Sequence, residues 1–250
     1  MRVLGIDLET TGVDFEKDRI IEIGLVLWDT DLKIPLRMSS QLIDEPGHPK
    51  IDSDNVPALI TDEMVKEFGI SMNDSRKVDL LFDFIIGLCK EARYIVAQNG
   101  NKFDKIMLKK FFDRYSKDFP DILWLDTRTD IEYPVHCHSK NLIYLAAFHG
   151  FVNPFPHRAL FDIMTMLKLL DNYDIDEIIE RMESPEVTLR ACVTFDTKEL
   201  AKAEGFSWSE FPDCPYRGSK IWYKIIKECD VTDEWIDSLE FKVKMIETRI

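Results

Sequence analysis

The first three blocks of apolar residues, Arg2 to Glu9, Arg19 to Trp28 and Ile34 to Ile43, are short, continuous or alternating, and divided by polar turn residues. Blocks of that length predict strands, and three in succession predict an antiparallel meander. From about Lys77 the period changes: Val78, Leu81, Phe82, Ile85, Ile86 and Cys89 recur three and four apart, on one stripe of an amphipathic helix. Arg93 to Gln98 is strand-like again. Phe103 to Tyr115 returns to the helical period, with Phe103, Met107, Phe111 and Tyr115 on one side, and Ile122 to Leu125 is a short apolar strand. Ser139 has the chemistry of a cap for a helix over Asn141 to Phe148, and after a loop at Asn153 to Pro156 a further helix is expected over Ala159 to Leu170. A meander leading into alternating helices and strands predicts an α/β fold, a mixed sheet flanked by helices.

The pattern breaks at Ser184-Pro185. VTLRACVTF then reads as a strand, TKELAKAEGF as a helix, KIWYKIIKE as a strand, and Asp233 to Ile246 as a closing helix. The chain therefore divides into a domain over residues 1–183 and a small α+β appendage over 184–250. No fixed-period repeat or low-complexity tract marks either part.

Composition narrows the class. At 250 residues, 45% hydrophobic and 31% charged, the chain suits a globular protein with a substantial core. No apolar run approaches the roughly 18 to 20 residues of a membrane helix, so no membrane partner is expected. The opening MRVLGIDLETTG meets an acidic residue at position 7 and is expected to belong to the fold rather than to a signal peptide. Five cysteines with no CxxC pair suit free thiols in a reducing, cytoplasmic setting. A net charge of −14 argues against tight duplex binding by a basic surface. It is compatible with a nucleic-acid enzyme whose carboxylates hold divalent ions, because such a site turns cationic once loaded.

Asp7 and Glu9 stand two apart in a strand, so they project from one face and can hold a cation together. The same D-x-E spacing recurs at Asp14 and Glu16 and at Asp130 and Glu132, where a solvated pair is the plainer reading. Asp7 differs because it ends an apolar strand, where an ionised carboxylate is expensive unless paired or bound to metal. The turn at Thr10-Thr11-Gly12 sets hydroxyls and backbone N–H groups beside these carboxylates; it suits a sugar or phosphate, and it is equally an ordinary Thr-Gly turn. Asp104 follows Gln98-Asn99-Gly100-Asn101-Lys102-Phe103 at a strand-to-helix junction, as a partner of the helix dipole or as a ligand. His157-Arg158-Ala159-Leu160-Phe161-Asp162 is sharper, since H-x-A-x-x-D is expected by chance only roughly 0.02 times in such a composition. Asp162 falls on a helix and His157 in the Pro-flanked loop before it. Histidine can take a proton from water near neutral pH, as hydrolysis requires.

Together these segments resemble the three motifs of the DEDDh 3′→5′ exonucleases, in the family's order: D-x-E-T-T-G at 7–12, N-x-x-x-F-D at 99–104 and H-x-A-x-x-D at 157–162. Ile60 to Ser71 is similar to the family's connecting segment ahead of its first long helix, and the resemblance covers about residues 1–170. One departure is Gln98-Asn99 where the second motif commonly begins His-Asn; it touches no carboxylate. The resemblance implies an RNase H-like fold in which Asp7, Glu9 and Asp162 hold one metal and Asp7 and Asp104 help hold a second. It implies two Mg²⁺ ions, with Mn²⁺ able to substitute, His157 as general base, and Thr10, Thr11 and Asn99 against the substrate. The expected activity is hydrolysis of phosphodiester bonds at nucleic-acid 3′ ends, single-stranded DNA foremost, releasing nucleoside monophosphates. An RNA-trimming exoribonuclease and a non-catalytic subunit associated with a polymerase or replication partner are the alternatives, and the pathway served stays open.

Two features lie outside the motifs. The tail interleaves Phe206, Trp208, Phe211, Tyr216, Trp222 and Tyr223 with Arg217, Lys220 and Lys224, which suits either base stacking or, more simply, a mini-domain core built on Trp208 and Trp222. His136-Cys137-His138 lacks a second pair at ligand spacing and is read as a solvated segment rather than a zinc site.

Overall fold

Every residue from Ile20 to Trp28 is buried, which requires a strand covered on both faces, and the layers around it place the site. The computed structural model describes residues 1–51, 60–210 and 220–246. It divides into two compact units, Met1–Ile179 and Glu180–Ile250.

In the first unit β1 (Arg2–Thr10), β2 (Ile20–Asp29) and β3 (Ile34–Asp44) form the expected antiparallel meander. They are followed by α1 (Asp62–Phe68), β4 (Ile70–Ser71), α2 (Ser75–Glu91), β5 (Tyr94–Ala97), α3 (Asp104–Arg114), β6 (Trp124–Asp126), α4 (Leu142–Phe148) and α5 (Ala159–Leu170). The sheet order is β4-β3-β2-β1-β5-β6, with β5 parallel to β1 and β6 parallel to β5, a mixed α/β sheet of the RNase H-like kind.

Alternation along β1 assigns its two faces different work. Leu4, Ile6 and Leu8 enter the apolar core with the stripes of α2 and α3, where the Phe82 ring lies 5.1 Å from that of Phe111 and 4.6 Å from that of Phe112. Each such side chain contributes roughly 1.5–3 kcal/mol when fully buried. The other face carries Gly5, Asp7 and Glu9, and α5 lies across it. A Cβ on Gly5 would fall 2.5 Å from Ile163 Cγ2, and one on Gly24 would fall 2.9 Å from the Ala159 backbone. Glycine at both positions lets α5 approach β1 and β2 closely enough for side chains on the helix to reach those on the strands.

Three local differences from the sequence expectation have physical causes. Asn141 caps α4, its Oδ1 accepting from the Ile143 and Tyr144 N–H groups, while Ser139 sits two residues outside and its Oγ accepts from the Asn141 N–H at 3.2 Å. α2 starts at Ser75 because Asp74 caps it. α1 has only Val65 buried, so it shows no stripe from which a helix could be read.

The division between units falls within α6 (Ile175–Glu183). The second unit then comprises β7 (Glu186–Cys192), α7 (Lys198–Ala203), β8 (Ser207–Glu210), β9 (Lys220–Lys227), α8 (Asp233–Ser238) and β10 (Lys242–Ile246), an antiparallel sheet in the order β10-β7-β9-β8. The closing helix expected over Asp233 to Ile246 stops at Ser238: Leu239 is extended, and Lys242 to Ile246 pair with β7, Val243 opposite Ala191. Pairing satisfies the open edge of β7 and sends Val243 into the small core of Leu189, Ala191, Ala201 and Phe206. The helix expected through Phe206 ends at Ala203, where Gly205 turns the chain at φ +78° into β8. Trp208 is 53% exposed and is not a core residue, whereas Trp222 packs against that core. Phe211, Tyr216 and Arg217 of the same aromatic run lie outside the described residues.

Candidate active site

Asp7 and Glu9 occupy the end of β1 on the face that α5 covers. In the β1–β2 register Asp7 lies opposite Gly24 and Glu9 opposite Glu22, so three carboxylates share that face. β1 pairs with β5 at Val3, Leu4 and Gly5, which leaves the last residues of that edge of β1 to other partners. One of these is Asp104, the buried first residue of α3, whose carboxylate takes a hydrogen bond from the Leu8 backbone between Asp7 and Glu9.

The α5 side completes the cluster. Asp162 lies in the first turn of α5, and ligand atoms of Glu9, His157 and Asp162 all fall within 4.8 Å of one another. Among the described residues this is the one group of three acidic, histidine or cysteine side chains so placed, and His136, Cys137 and His138 form none. His157 holds a left-handed backbone, φ +63°, that turns the loop into the helix, and its N–H donates to Asp162 Oδ2 at 2.9 Å. Asn153 Nδ2 donates to Asp162 Oδ1. Each carboxylate oxygen has a second lone pair, so these bonds orient Asp162 and leave it able to bind a cation.

Burial and mutual repulsion raise the proton affinity of these carboxylates. Burial, followed by the negative charges of Asp104, Glu9, Asp162 and Glu22, raises the Asp7 carboxyl well above its ordinary range. Glu9 is pushed from an ordinary 4.5 to about 8 by burial first and then by Asp162, Glu22 and Asp104, with Arg158 pulling slightly back. Burial raises Asp104 to about 7 against backbone hydrogen bonds from its own N–H and from Leu8. Asp162 is raised by burial, opposed by its bonds from His157 and Asn153. Hard oxygens that raise one another's proton affinity, with an imidazole beside them, are the donor set of a divalent-cation site.

Thr10, Thr11 and Asn99, the residues expected to touch substrate, each make hydrogen bonds within the loops that carry them or to a neighbouring strand end. Thr10 Oγ1 donates to the Gly12 carbonyl at 2.6 Å; Thr11 Oγ1 donates to Asp18 Oδ1 at 2.8 Å and accepts from the Arg19 N–H at 3.0 Å. Both hydroxyl protons thus close the turn after β1, leaving acceptor capacity. Asn99, in the left-handed region at φ +64°, gives its N–H to Asp126 Oδ1 at 2.8 Å.

Three supporting residues escaped the sequence analysis. Glu22 is buried and accepts from Arg158 Nη2 at 2.9 Å, Arg158 Nε at 3.2 Å, the Ala159 N–H at 3.1 Å and the Ser40 hydroxyl, which fixes the start of α5 to β2. Asp126, buried at the end of β6, accepts from the N–H groups of Asn99, Asn101 and Arg128 and so pins the loop that delivers Asp104. Asn153 orients Asp162. The findable signal was Glu22: an acidic residue inside the apolar run IIEIG has to be paired or to face a site.

Comparison with known proteins agrees with this fold. The RNase T family model, whose description is exonuclease, matches residues 4–170, about two thirds of the chain. A probable oligoribonuclease of Caenorhabditis elegans is 24% identical over 180 residues, 69% of this chain and 86% of that protein. The fold is similar to that of the nuclease domain of 3′hExo, a DEDDh family member bound to rAMP, at TM-score 0.55 and 16% identity over 68% of this chain and 90% of that one. It is also similar to E. coli Exonuclease I in complex with a dA16 oligonucleotide, at TM-score 0.63 and 12% identity over 96% of this chain and 68% of that one. The family is metal-dependent, in keeping with the carboxylate cluster. With its motifs, sheet order and acidic cluster in agreement, the chain belongs to the RNase T exonuclease family, as a 3′→5′ exonuclease of the DEDDh type.

Proposed function

We propose that this exonuclease removes nucleotides from the 3′ end of single-stranded DNA, releasing nucleoside monophosphates, with Mg²⁺ as its metal and His157 as its general base. The observation that carries the reading is the convergence of Glu9, His157 and Asp162 within 4.8 Å on the face that also bears Asp7. Asp7, Glu9 and Asp162 would hold one ion, and Asp7 with Asp104 a second. When bound, the ions supply Lewis-acid stabilisation of the charge that grows on the phosphate and on the leaving 3′-oxygen. The chain's own residues do the rest. His157 takes the proton of the attacking water, from a position that its backbone bond to Asp162 holds beside the cluster. Asn153 and Glu22 keep Asp162 and the start of α5 in register with β1. Asp126 does the same for Asp104.

The DNA reading is supported by likeness to Exonuclease I, which was solved with a DNA oligonucleotide and whose fold corresponds to 96% of this chain. Cleavage of RNA is the second reading, favoured by the probable oligoribonuclease relative and by the 3′hExo neighbour bound to rAMP. No polymerase or replication partner is proposed; a cytoplasmic setting is part of the proposal, supported by five cysteines with no CxxC pair. The deciding assay presents matched single-stranded DNA, duplex DNA and RNA oligonucleotides, labelled at each end in turn, in Mg²⁺. A ladder shortening from the 3′ end of single-stranded DNA fits the proposal. Preference for RNA would move the assignment to the second reading, and shortening from the 5′ end would end both.

A further inference from the structure

The second unit contains a cleft of about 530 Å³ bordered by Phe195, Lys198, Lys202, Trp208 and Trp222. Its aromatic side chains are unusually bare, Phe195 at 79% exposure and Trp208 at 53%, in a unit with little apolar surface to spare for its core. β8 is the edge strand, and Trp208 stands directly opposite Trp222 in the β8–β9 register, ring centroids 5.7 Å apart and planes inclined at 44°. Trp222 is anchored from behind by the core, so the half-exposed indole of Trp208 leans on a fixed support. At the other wall Lys198 Nζ lies 3.7 Å from the Phe195 ring centroid. Among the described residues Lys202 pairs with Glu199, which also borders the cleft, at 3.8 Å with both side chains about 70% exposed, a pair too loosely held to neutralise it.

We propose that this cleft binds single-stranded nucleic acid, with bases stacking on Trp208 and Phe195 and the phosphate backbone following Lys198 and Lys202. The inference rests on reading the chain as a nuclease of single strands. Every base presents a π-face, so exposed rings capture any sequence, and cations beside the rings match a polymer that is apolar on its base faces and anionic along its backbone. An apolar peptide would fill the aromatic wall but bring no anion to the two lysines. The protein's net charge of −14 gives no long-range attraction for a polyanion, so stacking has to carry most of the affinity. With two cations engaged, log affinity should fall against log salt with a slope of about −1.4 for a single strand.

The test is fluorescence anisotropy of the full chain with a 5′-labelled oligothymidylate in EDTA, where no strand is cut. Trp208→Ala should weaken binding by about 5- to 100-fold and Phe195→Ala by a similar factor, while Trp208→Phe recovers most of the loss. Phe195→Ala removes an exposed ring, so its effect is free of any failure to fold, and circular dichroism checks the others. Equal affinity of Trp208→Ala, Phe195→Ala and parent would overturn the proposal, as would absence of binding by the parent or equally tight binding of a duplex. The two readings separate cleanly. A chain that trims single strands with metal but binds none in EDTA keeps the reaction and loses the cleft; one that binds in EDTA yet leaves 3′ ends intact does the reverse.

Discussion

The two units use apolar residues in opposite ways. In the first, β2 is buried along nearly its whole length between α2 and α3 on one side and α5 on the other, and the clustered carboxylates emerge from that double cover. In the second, β9 is mostly half-exposed, and among the described residues the core beneath its sheet has four buried members. A rigid, two-sided scaffold can hold like charges together against their repulsion; a one-sided sheet cannot, but it can leave rings at the surface. Chemistry that needs fixed geometry sits in the first setting, and adaptable contact suits the second.

Breaking the charge cluster should have the largest effect. Asp7→Ala, Asp104→Ala and Asp162→Ala are each expected to abolish trimming of a 5′-labelled single strand in Mg²⁺, and EDTA should do the same to the parent; activity surviving in any of them would sink the metal assignment. His157→Ala should cost about 10²- to 10⁴-fold in rate. Mn²⁺ titration calorimetry on that variant should show nearly unchanged affinity, and a loss of metal binding would make the imidazole a ligand instead.

The same substitution made in both units sharpens the contrast. Phe82→Ala empties a site packed by Phe111, Phe112 and Tyr115 and should cost about 3–5 kcal/mol in urea unfolding. Phe195→Ala, at a ring 79% exposed, should stay within about 0.5 kcal/mol. Similar costs would mean that the units do not differ in packing as described.

The smallest effect is on pH. Glu9 at about 8 and Asp104 at about 7 lie above their unfolded values, so the folded state holds protons that the unfolded state releases. That contribution is complete below about pH 4 and is lost as pH rises through 7 to 8. The metal-free protein should therefore melt a few degrees lower at pH 8 than at pH 5 by scanning fluorimetry, with Mg²⁺ restoring most at pH 8. A metal-free melting temperature that rises over this range would contradict the buried cluster.

These contrasts also show what a linear sequence can carry. The strands β1 to β3 and helices α2, α3 and α5 were legible because burial on a fixed face imposes a period on the chain. The five motif residues were legible because their spacings are improbable. α1 was not, having one buried residue, and β10 was mistaken for helix because its pairing partner β7 lies about fifty positions earlier. Asp126 and Asn153 were missed for a related reason: they act on backbone and side chains of other segments, and no local pattern announces that.

One detail of backbone geometry reaches beyond enzymology. Asn99 and His157 both adopt a left-handed conformation, which costs a non-glycine residue on the order of 1 kcal/mol. Glycine at 157 would relax that bend and discard the imidazole in the same stroke. With His157 as the proposed general base, a laboratory evolution campaign rewarding heat tolerance alone would be drawn toward a hardier, slower protein, and a breeder of robust variants has to screen for turnover in every round.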